Sequence, residues 1–485
     1  MAGANDGKEK GLVKRLMATF KGLNECDDVD LKASYHLGSK KVRVVIRDYP
    51  LQLRLGPKGK SLHLYPERLF SDQEGDDVKS QYDYYILFDP ERYYKYLSGF
   101  IRIKSGDKLT LSRNSDDQRS LLDMPNDVAA RHLSITHSGD SLVFKNHDME
   151  RGSCIAPLLK DKKVNRIINT RRKRLQRLQQ IIGPATLLPP EPALTLLQQV
   201  NQLMETDANR PLNDAGRPGG LVKLGERRKS VIIGDLHARI DNLLVIFSQS
   251  ALLAGLESHS INLIFVGDAV HPEEEGKYEE MESSMVMMDF IFRLKLAFPR
   301  QIIYLRGNHD SFNEDYAKGG IPQGKVWSDA LLQTRGSSYH QEMQRFYTLL
   351  PYVACNQKLL VTHAAAPTSS FELNDVINIC HDAQLIREFN CNRLATQNRL
   401  SGYNKGDVKR LRKVLGCRED ATMIVGHTPV DTLDTVWETV GGIENHSVVF
   451  SSGLEWVGLM VQIGEKFYPL RYPTEPLSKI YNRFT

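Results

Sequence analysis

The sequence has no long apolar segment of the kind that crosses a membrane or directs secretion. No run approaches the roughly 20 consecutive apolar residues that a membrane helix needs. The N-terminal stretch MAGANDGKEKGLVKRLMATFKGL has no apolar core of signal-peptide length. The six cysteines are scattered, without a CxxC pair or the spacing of a disulfide framework. Because free thiols are typical of a reducing compartment, we expect a cytoplasmic protein without a membrane span.

The chain also has little excess charge of either sign. Its formal net charge is +5 over 485 residues, which does not by itself indicate nucleic-acid binding, because such binding depends on local basic patches. With 41% hydrophobic and 25% charged residues, the composition is that of an ordinary globular protein. A chain of this length exceeds one ordinary hydrophobic core, so we expect several domains.

What the sequence does have is a series of short apolar runs that end in metal-binding residue types. The runs are VIIGDLH, LIFVGD, IIYLRGNHD, LLVTH and MIVGH. Each is typical of a buried strand, and a glycine after the strand lets the backbone present the next side chain at the carboxyl edge of the sheet. One such residue alone would be a turn residue or a helix cap, but five in order predict a common site. The polar residues at these ends are Asp235, His237, Asp268, Asn308, His309, Asp310, His363 and His427.

The ordered set GDLH, GD, GNHD, TH and GHT resembles the calcineurin-like metallophosphoesterase superfamily, and within it the phosphoprotein phosphatase branch. The resemblance covers residues 229–485. It implies an α/β fold for this region, namely a four-layer αββα metallophosphoesterase sandwich. It also implies a metal-dependent phosphoric ester hydrolase.

Carried over residue by residue, the resemblance implies two metal ions that share one carboxylate, Asp268. Mixed oxygen and imidazole ligands suit divalent manganese, iron or zinc better than calcium. Two such ions neutralise phosphoryl oxygens and activate water, which phosphate ester hydrolysis requires at neutral pH. The implied ligands are Asp235, His237 and Asp268 for the first metal, and Asp268, Asn308, His363 and His427 for the second.

Three further residues match positions that act on the substrate in this family. His309 is the expected general acid that protonates the leaving group, a task that suits an imidazole. Arg306 is an expected phosphate-binding arginine. Arg399, in QNRLSG, lies where the family has a second one.

The sequence departs from the family after Asp268. His271 and Pro272 stand where the family has an aspartate that orients the catalytic histidine and an arginine that holds phosphate. Because a histidine cannot stabilise protonated His309 as a carboxylate would, either Asp310 or another carboxylate takes over, or proton transfer is weaker. The EEEGKYEE segment that follows is either a substrate-facing loop or, as we favour, a solvated acidic loop.

The first 228 residues divide into three predicted segments: an amphipathic extension (1–39), a mostly β domain (40–159), and a basic helix with a Pro/Gly-rich linker (160–228). Residues 100–159 resemble forkhead-associated domains, which are phosphothreonine-binding β-sandwiches. Arg113 matches the phosphate-contacting arginine of that family and His132 its structural histidine, whereas Ala129 and Arg151 depart from its pattern. A phosphopeptide partner for this region is therefore an open expectation.

The function we expect is that of a serine/threonine protein phosphatase-like phosphomonoesterase, acting on a phosphorylated protein or a small phosphate ester. The alternative is a nucleotide, dinucleotide or RNA phosphohydrolase, which the basic helix would suit, although nucleic acid is not favoured. A second alternative is a non-catalytic adaptor that recognises phosphate. The intact ligand set argues against that adaptor.

Overall fold

Strands whose residues alternate between core and surface form the N-terminal unit of the computed structural model, Met1–Arg172. In the strand Lys41–Val45, for example, Val42 and Val44 are buried and Arg43 is exposed. The structure describes residues 26–45, 50–57, 59–67, 84–90, 100–115, 118, 122, 124–139, 141–158, 166–249, 251–396, 399, 401–431 and 434–484.

The described strands of this unit form two sheets, with strand orders β1-β3-β10-β9-β8 and β2-β11-β4-β5-β6-β7. Side chains of both sheets, such as Phe144 and Leu53, share one hydrophobic core. This region is thus a mostly β sandwich, and the narrower forkhead-associated resemblance stays a prediction. The strands are β1 (Cys26–Val29), β2 (Tyr35–His36), β3 (Lys41–Val45), β4 (Leu51–Leu55), β5 (Lys60–Glu67), β6 (Tyr84–Phe88), β7 (Ile101–Lys104), β8 (Lys108–Leu111), β9 (Leu133–Ser138), β10 (Ser141–Asn146) and β11 (Ser153–Pro157).

The sandwich begins earlier than the predicted boundary at residue 40. β1 and β2 precede that boundary. Leu31 and Leu37, which follow these strands, are 3% and 4% exposed and belong to the core of the sandwich. The predicted amphipathic stretch around residues 12–20 lies outside the described residues.

The second unit, Lys173–Thr485, contains two mixed sheets packed face to face. Their strand orders are β12-β18-β19-β20-β22-β21 and β15-β14-β13-β23-β24. Ile232 and Ile264 of one sheet and Val361 and Ile424 of the other lie in a single core. The strands are β12 (Leu221–Lys223), β13 (Lys229–Ile233), β14 (Ile261–Phe265), β15 (Ile302–Tyr304), the hairpin β16 (Ala317–Lys318) and β17 (Ile321–Pro322), β18 (Val353–Cys355), β19 (Leu359–Thr362), β20 (Thr422–Val425), β21 (Val436–Glu438), β22 (His446–Val449), β23 (Trp456–Ile463) and β24 (Lys466–Pro473).

Helices cover the outer faces of both sheets, which produces four layers. Phe389 and Leu411, on two of these helices, pack with residues of the six-stranded sheet, and three other helices contact the five-stranded sheet. The fold expected for residues 229–485 therefore agrees with these layers. The helices described are α1 (Arg166–Ile182), α2 (Pro190–Met204), α3 (Ile240–Gln249), α4 (Leu252–Glu257), α5 (Glu282–Ala297), α6 (Gln323–Arg335), α7 (Ser337–Leu349), α8 (Leu373–Ile377), α9 (Ala383–Cys391), α10 (Lys405–Val414) and α11 (Ser478–Tyr481), with 3-10 turns at Ile379–His381 and Val440–Gly442.

Parts of the segment predicted as a basic helix and linker pack against the second unit, although many of its residues are exposed. In α1, Arg174 donates to the carbonyl of Ser248 at 3.1 Å, and Arg177 to the carboxylate of Glu257 at 2.9 Å. Further on, the buried guanidinium of Arg210 donates to backbone carbonyls, including that of Gly219 at 2.7 Å. The turns of this segment bring backbone carbonyls to the buried guanidinium of Arg210. The amino-acid composition does not predict such a contact.

Within the described residues, no helix combines the length and the apolar character that crossing a membrane requires. All six cysteines are free thiols.

Candidate active site

Parallel pairing brings the predicted site residues to one edge of each sheet. β13 pairs in parallel with β14, and β14 with β15, so Asp235, Asp268 and Asn308 follow the strands at the same edge. In the facing sheet, β19 and β20 are also parallel, and they end just before His363 and His427. The two edges meet, and all six predicted ligands converge.

Two glycines leave room for the carboxylates at this edge. A Cβ atom on Gly307 would lie 2.1 Å from Oδ1 of Asp268, and one on Gly426 would lie 2.1 Å from Oδ1 of Asp235. Neither distance is tolerated between non-bonded atoms, so the GNHD and GHT glycines are required by packing. Several ligands also adopt left-handed backbone angles, with φ of 43° at His237, 50° at Asp268 and 62° at His427. Such strain in residues other than glycine is concentrated at functional sites.

The ligand atoms form two groups that share Asp268. Asp235, His237 and Asp268 offer atoms that lie within 4.8 Å of one another, and so do Asp268, His363 and His427. Asn308 joins the second group, because its Oδ1 lies 3.0 Å from Nε2 of His363. Among the described residues, these are the groups of at least three histidine, cysteine or acidic side chains with this geometry.

Backbone carbonyls orient two of the imidazole rings. Nδ1 of His363 lies 3.0 Å from the carbonyl oxygen of Val266, and Nδ1 of His237 lies 3.2 Å from that of Val270. A carbonyl accepts a hydrogen bond from Nδ1–H, so each ring directs its Nε2 towards the centre of the site. This second contact is the usual way in which a protein presents histidine to a metal.

Buried polar atoms without a partner show that the site suits cations. Oδ1 of Asp235 and Nε2 of His427 are buried and have no hydrogen-bond partner among the described residues. Burial raises the pKa of Asp235 to about 7, although the charge of His363 opposes this. Burial also acts to raise the pKa of Asp268, but the charges of His363 and His309 outweigh it and lower that pKa. Two carboxylates buried this closely need positive charge nearby, which metal ions would supply.

His309 lies beside this centre, and its amide donates to Oδ1 of Asp268 at 2.8 Å. Asp310 does not support the ring of His309 as one of our alternatives required. Its carboxylate instead accepts hydrogen bonds from the amides of Asp268 and Gly307, at 3.0 and 2.8 Å, and from the hydroxyl of Tyr304 at 2.8 Å. Asp310 therefore holds the loops that carry the ligands. Nδ1 of His309 is buried and has no hydrogen-bond partner in the described part of the chain.

The two predicted arginines differ in how firmly they are placed. Arg306 donates from its guanidinium to the hydroxyl of Tyr352 at 2.8 Å, which anchors it two residues before Asn308. Arg399 is exposed and lies in a cavity beside the site. Arg393 lines the same cavity, and its charge contributes to lowering the pKa of His427, after burial and His363.

Sequence reasoning missed Glu273 as a site residue. It belongs to the acidic segment that we favoured as a solvated loop, yet its Oε1 lies 3.4 Å from Nε2 of His237. Its side chain is 27% exposed, and it also pairs with Lys318 of the β16–β17 hairpin. The first glutamate of EEEGKYEE thus faces the site, whereas Glu274 is exposed and pairs with Lys277. The signal in the sequence that could have identified Glu273 was its position five residues after Asp268.

Solved structures of phosphatases are similar to this chain at low sequence identity. A protein serine/threonine phosphatase from Saccharomyces cerevisiae, described as similar to human phosphatase PP5, is 16% identical with a TM-score of 0.43, and the match covers 59% of this chain and 90% of that one. A putative diadenosine tetraphosphatase is also 16% identical, with a TM-score of 0.32 and coverage of 52% of this chain and 98% of that one.

Curated proteins similar in sequence are serine/threonine-protein phosphatases. Serine/threonine-protein phosphatase rdgC of Drosophila melanogaster is 26% identical over 180 residues, which is 37% of this chain and 22% of that protein. Serine/threonine-protein phosphatase with EF-hands 1 of Mus musculus is 26% identical over 153 residues, or 31% of this chain and 21% of that protein. The chain thus spans about a fifth of the length of these relatives.

The family comparison matches the same region as the converging ligands. A model described as calcineurin-like phosphoesterase matches residues 228–439. All six predicted ligands, both arginines and His309 lie inside that range. Residues 228–439 therefore form a calcineurin-like phosphoesterase domain.

Proposed function

We propose that this protein is a dinuclear metal-dependent phosphomonoesterase that removes phosphate from serine and threonine residues of phosphorylated proteins in the cytoplasm. The observation that carries this proposal is the pair of ligand groups that share Asp268. A shared carboxylate is what a two-metal site needs to hold its ions about 3.5 to 4 Å apart. The similarity to serine/threonine-protein phosphatases supports the protein substrate.

Each ligand has an assigned place in the proposal. Asp235 and His237 would hold the first metal and Asn308, His363 and His427 the second, and Asp268 would contribute to both. Two bound manganese, iron or zinc ions would neutralise the phosphoryl oxygens and activate a water molecule as the nucleophile.

The arginines bind the phosphate that is to be removed. Arg306 is anchored by Tyr352, so its guanidinium is positioned before substrate arrives, which lowers the entropy cost of binding. We assign it a phosphate oxygen. Arg399 remains the predicted second phosphate ligand, with Arg393 as a further candidate because its charge acts on His427.

His309 protonates the leaving oxygen. Burial lowers the pKa of His309 to about 4, and the charge of Asp268 opposes this only partly. The ring is therefore neutral at pH 7 in the metal-free protein, and the negative charge of a bound phosphate would favour its protonated form. We assign to His309 the proton that the leaving oxygen receives.

The alternative functions have less support in the structure. The arginines of α1 that would suit RNA include Arg174 and Arg177, which contact Ser248 and Glu257 of the same unit. An adaptor without catalysis does not require orphaned ligand atoms such as Oδ1 of Asp235.

The proposal is tested by reconstituting the metal-free protein with manganese, iron or zinc and offering phosphoserine peptides, nucleotides and RNA with phosphorylated ends. We expect metal-dependent release of phosphate, fastest from the peptides. Faster hydrolysis of nucleotides or RNA would support the phosphohydrolase alternative. Metal binding without hydrolysis of any substrate would support the adaptor.

A further inference from the structure

Three arginines line an open cavity of about 800 Å³ beside the metal ligands, which we call the arginine groove. They are Arg387, Arg393 and Arg399. Among the residues that the structure describes, none of the three guanidinium groups has a hydrogen-bond or ion-pair partner. Arg393 has a lowered pKa, first because it is partly buried and then because of the charge of Arg399. Arg393 and Arg399 are thus close enough to repel each other.

The one carboxylate among the described lining residues offsets only part of this positive charge. Glu388 is the acidic residue among the described lining residues. Its carboxylate accepts hydrogen bonds from the hydroxyl of Thr368 at 3.0 Å and from the amide of Ser369 at 3.3 Å, and also from the hydroxyl of Ser369. Glu388 is therefore engaged in holding the loop after β19, and the groove keeps an excess of positive charge that attracts anions.

The groove adjoins the metal centre through α9, the helix that carries Arg387. Near its C-terminal end, the carbonyl of Phe389 accepts a hydrogen bond at 3.0 Å from the amide of Ala364, the residue that follows a metal ligand. The last residue of α9, Cys391, has its sulfur 3.2 Å from the hydroxyl of Tyr316. The ring of Tyr316 lies 6.1 Å from that of His309. The helix is thus held directly against the site.

A smaller cavity of about 240 Å³ adjoins the arginine groove, because the two share lining residues. Ala364 and Gly426, which neighbour metal ligands in the sequence, line one part of it, and Arg393 and Arg399 line both cavities. A substrate whose phosphate is held at the metals with the help of Arg399 would therefore place its neighbouring residues near Arg387.

We propose that the arginine groove binds, through Arg387, a second negatively charged group of the substrate, so that phosphopeptides with acidic side chains beside the phosphorylated residue are preferred. This inference rests on the proposed phosphatase function and adds to it the sequence context of the substrate. A guanidinium group presents paired donors that match a carboxylate, so unpaired arginines suit acidic side chains well.

The test compares three peptides that differ only beside a single phosphoserine, where they carry aspartate, alanine or lysine. The full-length protein is assayed with manganese, and kcat and KM are measured for each peptide. We expect kcat/KM to be highest for the aspartate peptide and lowest for the lysine peptide, mainly through KM. The difference should shrink as salt is added, because salt screens exposed charges.

Substitution of Arg387 links this preference to the groove. We expect Arg387→Gln to lower the kcat/KM ratio of the aspartate peptide to the alanine peptide about threefold to fivefold, the size that an exposed ion pair supports. Arg387→Lys keeps the charge and should retain most of the preference. The matched control is Arg300→Gln, because Arg300 is exposed and lies before β15, at the strand end opposite the ligands.

The outcomes separate this inference from the function on which it rests. If the three peptides are hydrolysed equally well, or Arg387→Gln leaves their ratio unchanged, the groove does not read acidic residues, although the phosphatase function stands. If no phosphopeptide is hydrolysed while a nucleoside polyphosphate is, the proposed function itself fails, and the peptide preference fails with it.

Discussion

The imidazole ring of His271 packs against that of His309, with ring centroids 5.2 Å apart. Burial lowers the pKa of His271 well below its ordinary value, and the charge of His309 lowers it further. Both ring nitrogens are buried without a hydrogen-bond partner among the described residues. His309 thus has a neutral ring beside it where a carboxylate would favour its protonated form.

If His309 is the general acid, the effect of replacing it on the rate should depend on the leaving group. We expect His309→Asn to reduce hydrolysis of an alkyl phosphate such as phosphoserine far more than that of an activated aryl phosphate, whose leaving group departs without a proton. Rates for both esters are measured at saturating metal. An equal loss on both would show that this histidine positions metal or phosphate instead.

Replacing His271 by a carboxylate should increase the fraction of His309 that is protonated and able to act as general acid. We expect His271→Asp to raise the rate with alkyl phosphates modestly, since general acid catalysis contributes about a hundredfold to ten-thousandfold in total and part of it is already in place. The aryl phosphate serves as the internal control, and thermal melting checks the fold. A stable variant with no gain on alkyl phosphates would contradict this idea.

The shared ligand should be essential for metal-dependent turnover. We expect Asp268→Asn to abolish hydrolysis of an aryl phosphate and to lower the bound metal content, because one side chain serves both ligand groups. Asp420→Asn, at an exposed residue paired with Arg418, is the control. Near-normal turnover with unchanged metal content in Asp268→Asn would rule out the dinuclear site.

The N-terminal unit is expected to bind phosphothreonine peptides weakly or not at all. The guanidinium of Arg113 donates to the backbone carbonyl of Asn126 at 3.0 Å, and Arg151 pairs with Asp148 at 2.7 Å. Binding is measured by calorimetry with the full-length chain and a peptide panel. Micromolar affinity that disappears in Arg113→Ala would identify a targeting module.

Stability of the second unit should fall in mild acid because of His446. This ring is fully buried, lies 2.8 Å from the hydroxyl of Tyr403, and has a pKa lowered by burial to about 4. The unfolded chain takes up a proton near pH 6.5 and the folded chain does not, so stability is lost as pH falls from about 6.5 towards 4.

We expect this histidine to cost about 2 kcal/mol of unfolding free energy between pH 7 and pH 5. The check is urea unfolding at both pH values for the wild type and for His446→Gln, whose side chain does not titrate. The variant should lose correspondingly less stability on acidification. Identical losses in the two proteins would mean that His446 is not the responsible group.

Much of the candidate site follows from local sequence. A short aliphatic strand followed by glycine and a polar residue places that residue at the carboxyl edge, and strands in the same direction share that edge. For this reason the runs ending at Asp235, Asp268, Asn308, His363 and His427 predicted a common site, and the structure brings these residues together. The four layers were expected from the resemblance to calcineurin-like metallophosphoesterases that these motifs carry.

Contacts between residues far apart in the chain were decided by the tertiary structure alone. The sequence placed Asp310 beside His309, but packing turns its carboxylate towards the amide of Asp268. Glu273 belongs to an acidic segment with the composition of a surface loop, yet its carboxylate lies beside His237. In the linker-like segment, a backbone carbonyl accepts a hydrogen bond from the buried guanidinium of Arg210. Composition and spacing record which residues are available, whereas the direction of a side chain depends on the groups that packing brings within reach of it.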